Sequence, residues 1–194
     1  MDEFWIYLNL GFTHVLDLNA YDHVLYLIVL VASYSFAQWK KALWLVTTFT
    51  IGHTLSLVLA GYDILKVNMA WVEFLIPVSI ILAGTYNLSI AGRRNQSNKK
   101  TLLYVVTLLF GLIHGFGFSS YFQMLASKKE QIATMLIQFA LGIELAQIAV
   151  VLMVLTLGFV VRRTFRVAGM DWILVSSSIV IGMAIPILIE KWVF

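Results

Sequence analysis

Six long apolar runs divide this chain and constrain its fold more than any other feature. They lie near residues 21–38, 42–62, 70–91, 101–122, 132–161 and 172–189. A helix needs about 20 apolar residues to cross a bilayer, and within lipid each backbone polar group must be satisfied inside the protein. We therefore predict an all-α integral membrane protein, a single domain over residues 1–194 that forms a bundle of six transmembrane helices.

The composition agrees with a membrane protein and excludes several other classes. The chain is 61% hydrophobic and only 12% charged, which is outside the usual range of soluble domains. It has no cysteine, so a disulfide framework, a thiolate metal site and a cysteine nucleophile are all excluded. The small net charge of +3 lies in short loops, which argues against nucleic-acid binding. The expected partner is the lipid bilayer, and homo-oligomerisation stays open.

The basic residues are concentrated in three loops. Lys40 and Lys41 follow the first run, and the other basic loops are 92–100 and 162–169; together they hold nine of the 13 basic residues. Because basic loops stay on the cytoplasmic side, this distribution predicts a multi-pass protein of a bacterial inner membrane with both termini outside.

The N-terminal segment is too short and too mixed to be a seventh run. Trp5, Tyr7 and Phe12 are typical of a segment that lies at the membrane interface. Asp2 and Glu3 stand where a signal peptide would carry basic residues, so no cleaved signal is predicted.

Ionisable side chains within the apolar runs are the strongest indication of function. Such a group costs about 2.5–3.5 kcal/mol on insertion scales, so it usually faces a protein interior or a water-filled cavity. On the predicted topology these residues all lie in the outer half or the middle of the membrane, which indicates a polar cavity open to the outside. They are Asp22, His23, His53, Glu73, His114 and Glu144.

The densest group of candidate ligands is at the start of the first run, where His14, Asp17, Asp22 and His23 follow one another. Imidazole nitrogen and carboxylate oxygen are ligands that suit divalent zinc, nickel, cobalt or iron. The group also has an interpretation without metal, in which Asp22 caps a helix and His23 lies at the interface.

Polar neighbours accompany the deeper ionisable groups. Thr50 and Ser56 lie near His53, where their hydroxyls either orient the imidazole or bond to another helix. Gln147 follows Glu144 by three residues, which puts an amide and a carboxylate on one helical face. Gly111 and Gly115 flank His114, a spacing that allows close helix packing. Pro77 frees the carbonyl of Glu73, four residues earlier.

Several of these residues belong to short motifs. They read GFTH at 11–14, YDHVLYL at 21–27, FTIGHTLSL at 49–57, VE at 72–73, FGLIHGFGF at 110–118 and GIELAQ at 142–147. In this order the motifs resemble those of the HupE/UreJ family, small membrane proteins often linked to hydrogenase and urease accessory genes. One departure is that Asn19, Ala20 and Tyr21 stand where the family has glycine shortly before the Asp-His pair.

This resemblance implies a membrane protein that moves nickel, or a similar divalent cation such as zinc or cobalt, inward. The ligands that it implies are His14, Asp22, His23, His53, Glu73, His114 and Glu144. Their expected supporting residues are Asp17, Thr50, Ser56 and Gln147.

Two other functions fit the same residues. Histidines and carboxylates that hold zinc within a helical bundle can activate water, as in an intramembrane hydrolase that acts on a lipid or peptide. The protein could also be an accessory subunit that transports nothing. The permease is the favoured prediction, and it assigns no catalytic residue.

Overall fold

The computed structural model describes residues 3–91, 100–125 and 132–193, and all its regular elements are helices. The all-α prediction is therefore confirmed for the described part of the chain, which contains no strand. The elements are α1 (Glu3–Val15), α2 (Asp22–Val31), a short 3-10 helix (Phe36–Gln38), α3 (Trp39–Gly61), α4 (Met69–Ile90), α5 (Lys100–Leu125), α6 (Ile132–Thr164) and α7 (Gly169–Glu190).

Five helices, α3 to α7, are long and apolar enough to cross a membrane. The predicted count of six full-length spans is wrong, because the run at 21–38 forms only the ten-residue helix α2. At 1.5 Å per residue α2 is about 15 Å long, half the thickness of the hydrocarbon core. The chain turns after Val31, and Ser35 then starts the next helix through its reciprocal hydrogen bonds with Gln38.

The prediction of an unusually long fifth run is confirmed by α6, which has 33 residues. Helix α1 packs along α6, and one glycine on each helix allows the close contact. A Cβ atom on Gly11 would overlap the backbone of Phe139, and one on Gly142 would overlap the backbone of Leu8. The side of α1 that carries Trp5 is exposed, so α1 is a docked helix with one free face.

Helices α3 and α5 lie side by side and point in the same direction. Gly52 of α3 packs on α5 next to Gly111. Nearer the C-terminal ends of both helices, Gln123 of α5 donates to the Ala60 carbonyl of α3 over 2.7 Å. Because Ile132 lies against Gly61 while Glu144 bonds to Thr47 and Thr50, α6 runs in the opposite direction.

The first and third basic loops therefore lie at the same end of the bundle, as predicted. Lys40 lies in the first turn of α3, and Arg162 and Arg163 lie in the last turn of α6. Residues 92–99 of the second basic loop lie outside the described part of the chain, and α5 begins beside them at the same end. Which face of the membrane this end occupies stays a prediction.

The short helix α2 is held inside the bundle by α4 and α7. Asn87 of α4 is buried and donates from Nδ2 to the Val29 carbonyl over 2.6 Å, and the same nitrogen lies 3.3 Å from Ser177 Oγ of α7. Seven of the ten residues of α2 are buried. The helix therefore presents its first residues, Asp22 and His23, to the interior instead of to lipid.

Candidate metal centre

All four histidines of the chain meet in the interior of the bundle, although they come from four different helices. The ring centroids of His14 and His23 are 4.7 Å apart, and His53 lies 5.5 Å from His23 and 5.8 Å from His14. His114 lies 5.3 Å from His23. We call these four residues the histidine cluster. The sequence predicted each member, and the fold brings them together.

Three of them are arranged as a metal could use them. His14, His23 and His53 each offer a ring nitrogen, and these nitrogens lie within 4.8 Å of one another. A central point is then at most about 2.8 Å from each nitrogen, compared with about 2.1 Å for a Zn–N bond. Ring movements of less than about 1 Å would close the site on an ion.

The ring nitrogens that face the cluster make no hydrogen bond within the described part of the chain. They are Nε2 of His14, His23 and His114 and both ring nitrogens of His53, and all of them are buried. A buried polar group without a partner costs about 1–3 kcal/mol. A neutral imidazole keeps a lone pair on one of its two nitrogens, so each of the four rings can offer one lone pair here. A divalent cation is a ligand that accepts such lone pairs.

Hydrogen bonds on the far side of two rings hold them in the form that binds metal. His23 Nδ1 lies 3.2 Å from Asp22 Oδ1, and His114 Nδ1 lies 2.8 Å from the Phe110 carbonyl. Both partners are acceptors, so each Nδ1 carries the proton and each Nε2 keeps its lone pair. Outer partners of this kind orient and strengthen imidazole ligands.

Glycines allow the helices to approach closely enough for the rings to meet. A Cβ atom on Gly115 would overlap Ser56 Oγ and the His53 carbonyl, and one on Gly111 would overlap the Phe49 carbonyl. Any larger residue would push α5 away from α3, and with it His114 away from His53. The predicted role of the glycines beside His114 in close packing is confirmed.

Aromatic pairs enclose the histidine cluster on two sides. Phe118 and Phe139 stack with centroids 5.0 Å apart, and Phe118 lies 4.1 Å from His14. On the other side Tyr26 and Phe49 stack at 5.0 Å, beside His114. These rings exclude water and lower the local dielectric, which strengthens the attraction between an ion and its ligands.

An open groove of about 520 Å³ reaches the cluster at His14. Residues of α1, of the loop after it and of α5 form its walls, among them Thr13, Asp17 and Tyr121. Asp17, an expected supporting residue, is exposed there, and it accepts hydrogen bonds from Asn19 instead of from a histidine. The groove therefore borders His14 at the edge of the histidine cluster.

The remaining predicted residues lie at different distances from this centre. Asp22 belongs to it through His23, and Ser56 donates to the His53 carbonyl over 2.7 Å. Glu73 lies outside the histidine cluster. Its Oε2 lies 3.1 Å from Nζ of Lys191, the residue that directly follows α7. Glu144 bonds to Thr47 and Thr50 of α3.

The aromatic residues around the cluster were not predicted, although the sequence contained a signal for them. Phe49 precedes His53 by four residues, Phe118 follows His114 by four, and Tyr26 follows His23 by three. Residues three or four apart share a helical face, so each of these rings lies on the same face as a histidine. Phe139 had no such signal, because its helix carries no histidine.

Comparison with known proteins agrees with the motifs. A family model described as HupE / UreJ protein matches residues 1–192, which is nearly the whole chain. No curated protein and no solved structure matches.

Proposed function

Because the chain belongs to the HupE/UreJ family, we propose that it binds a divalent cation in the histidine cluster and carries it across the membrane. The single observation that supports this proposal best is the set of buried ring nitrogens without hydrogen bonds. Nickel is the expected cargo, with cobalt or zinc as the alternatives, since all three accept imidazole ligands.

The residues have different roles in the proposed binding of the cation. His14, His23 and His53 supply the nearest set of nitrogens, and His114 adds a fourth imidazole beside His23. Asp22 holds the His23 ring and contributes negative charge close to the ion. The cation enters by the groove at His14. Imidazole ligands release metal when they are protonated, so protonation of the histidines would release the cation from the cluster.

A zinc hydrolase is the second candidate, because three histidines beside an open groove resemble a catalytic zinc site with one free position. Such an enzyme also needs a general base next to the metal-bound water. Asp22 is the carboxylate that bonds within the cluster, and it already accepts hydrogen bonds from the ring and the backbone of His23. The geometry therefore favours transport over hydrolysis.

The first test measures bound metal in the purified protein by mass spectrometry after exposure to nickel, cobalt or zinc. We expect about one ion per chain, and no ion in the double variant His23→Ala/His114→Ala. Ser89→Ala is the matched control, since Ser89 is an exposed hydroxyl that donates to the Thr85 carbonyl. The absence of metal from the unmodified protein would contradict the proposal.

The second test reconstitutes the protein in lipid vesicles and measures metal entry. Uptake that the double variant lacks supports a permease. Tight binding without uptake would support the accessory function instead, and cleavage of a lipid or peptide that requires zinc would support the hydrolase.

A further inference from the structure

A group of oxygen-bearing side chains joins α3 to α6, away from the histidines. Thr47 Oγ1 donates to Glu144 Oε1 over 2.6 Å, and Thr50 Oγ1 donates to Glu144 Oε2. The amide oxygen of Gln147 lies 3.1 Å from the same Thr50 hydroxyl. We call Thr47, Thr50, Glu144 and Gln147 the Glu144 network. It contains a carboxylate, two hydroxyls and an amide.

The network lies between the histidine cluster and the basic end of the bundle. Thr50 and Thr47 precede His53 by three and six residues on α3, which is about 4.5 and 9 Å along the helix axis. Thr47 also lines an open cavity of about 290 Å³, together with Lys40, Leu43 and two tryptophans. The two threonines thus place the network within two helical turns of His53, and Thr47 also borders a cavity at the end of α3 opposite Gly61, whose lining residues all belong to α3.

No basic side chain in the described residues pairs with Glu144. None of the ion pairs in the described residues includes Glu144, which is half-buried. Next to it, Gln147 is completely buried and its Nε2 has no hydrogen-bond partner. A carboxylate in hydrocarbon normally pairs with a positive charge or marks an ion pathway. Because the described residues supply no such pair, a mobile cation is the natural counter-charge.

Each threonine hydroxyl has a second acceptor within reach. Thr47 Oγ1 lies 3.1 Å from the Leu43 carbonyl, and Thr50 Oγ1 lies 3.4 Å from the Val46 carbonyl. A hydroxyl has one proton and two lone pairs. When the proton rotates from the carboxylate to the carbonyl, the oxygen presents a lone pair to whatever occupies the space beside Glu144. The same atoms can therefore solvate the empty carboxylate or bind an ion with it.

From these contacts we propose that the Glu144 network is a second, transient station for the divalent cation, built from oxygen ligands, which receives the ion from the histidine cluster on its way to the cavity at Lys40. This inference rests on the proposed transport function. Imidazole nitrogens suit nickel, cobalt and zinc better than the carboxylate, hydroxyl and amide oxygens of the network do, so the second station is the weaker one. A weak second station lets the ion leave the protein.

The decisive variant is Thr47→Val/Thr50→Val, which keeps side-chain shape and removes both hydroxyls. In lipid vesicles we expect metal uptake to fall by about tenfold or more, the usual loss when a supporting group of a metal site is removed. Metal bound at the histidine cluster, measured by mass spectrometry, should stay at the unmodified level. The variant Thr47→Val/Thr50→Ser has one hydroxyl, at position 50, and should recover part of the uptake.

Thr48→Val is the matched control on the same helix. Thr48 donates to the Trp44 carbonyl of its own helix and to no other described residue, and it lies on another face of α3, so uptake by this variant should equal that of the unmodified protein. Equal uptake by Thr47→Val/Thr50→Val and Thr48→Val, with the histidine site loaded in both, would overturn the second station and leave the proposed function intact. Absence of uptake in the unmodified protein would overturn both.

Discussion

The histidine cluster and the Glu144 network are both polar regions between helices, but their main ionisable groups differ in hydrogen bonding. Five ring nitrogens of the cluster have no hydrogen-bond partner among the described residues, whereas both oxygens of Glu144 accept hydrogen bonds from threonine. Since an unsatisfied buried group costs about 1–3 kcal/mol, a ligand would stabilise the cluster, whereas the Glu144 carboxylate is satisfied without one. Under the proposed function, hydrogen bonding thus distinguishes a site that needs its ion from one that only passes it on.

The two regions also differ in how many helices build them. The Glu144 network needs only α3 and α6, but the cluster takes one histidine from each of α1, α2, α3 and α5. Two of these four helices are short and are held by local contacts, α1 by Gly11 and α2 by Asn87. The cluster is therefore the more sensitive region to changes in helix packing, and three predictions test this difference.

The largest effect is expected from Gly11→Val, which would separate α1 from α6. The new side chain would overlap the Phe139 backbone, so α1 and His14 would move out of the cluster. Loss of one of three close ligands should weaken metal binding by about 100-fold or more, since even an outer partner is worth 10–100-fold. Equilibrium dialysis with nickel or cobalt measures the change.

Gly182→Ala is the matched control for this variant, because nothing lies within 4 Å of the Cβ position at Gly182. It should leave metal affinity unchanged. If Gly11→Val bound metal as tightly as Gly182→Ala does, His14 would not be a ligand.

A smaller effect is expected from Asp22→Ala, which removes the acceptor that orients the His23 ring. The ring nitrogen that binds metal remains, so affinity should fall by about 10-fold to 100-fold without being abolished. Asp17→Ala removes a carboxylate five residues earlier that bonds only to Asn19. Equal affinities in the two alanine variants would show that Asp22 has no positioning role.

The smallest effect is expected from Glu73→Gln. Glu73 is a predicted ligand, but it pairs with Lys191, and both side chains are more than one-third exposed. Exposed ion pairs contribute up to about 1 kcal/mol, so thermal unfolding should change little and metal affinity not at all. A tenfold or larger loss of affinity would return Glu73 to the metal site.

Much of the fold could be predicted from hydropathy, because a lipid-spanning helix requires a long apolar run. That rule failed at residues 21–38, where length and composition suited a span but the chain formed α2 and a turn. The reason is local: Ser35 and Gln38 cap a new helix within the apolar run, and hydropathy is not sensitive to such hydrogen bonds.

The residues of the candidate site could be predicted from the sequence, but which of them lie close together could not. Each ionisable residue in an apolar run is conspicuous by its insertion cost, so His23, His53, His114 and Glu144 could be found without a structure. Helical periodicity says which face a residue occupies and leaves open which helix lies opposite. For this reason the sequence could not show that Glu73 lies apart from the histidines.

By itself, the sequence determined that this chain is a helical membrane protein with histidines and carboxylates that must avoid lipid. Hydrophobicity and chemical identity are properties of single residues, so they can be read locally. Only the tertiary structure decided that the four histidines meet, that Glu73 pairs with Lys191 and that Glu144 bonds to α3. Those outcomes depend on close approaches between helices, such as those at Gly11 and Gly115, which join residues far apart in the chain.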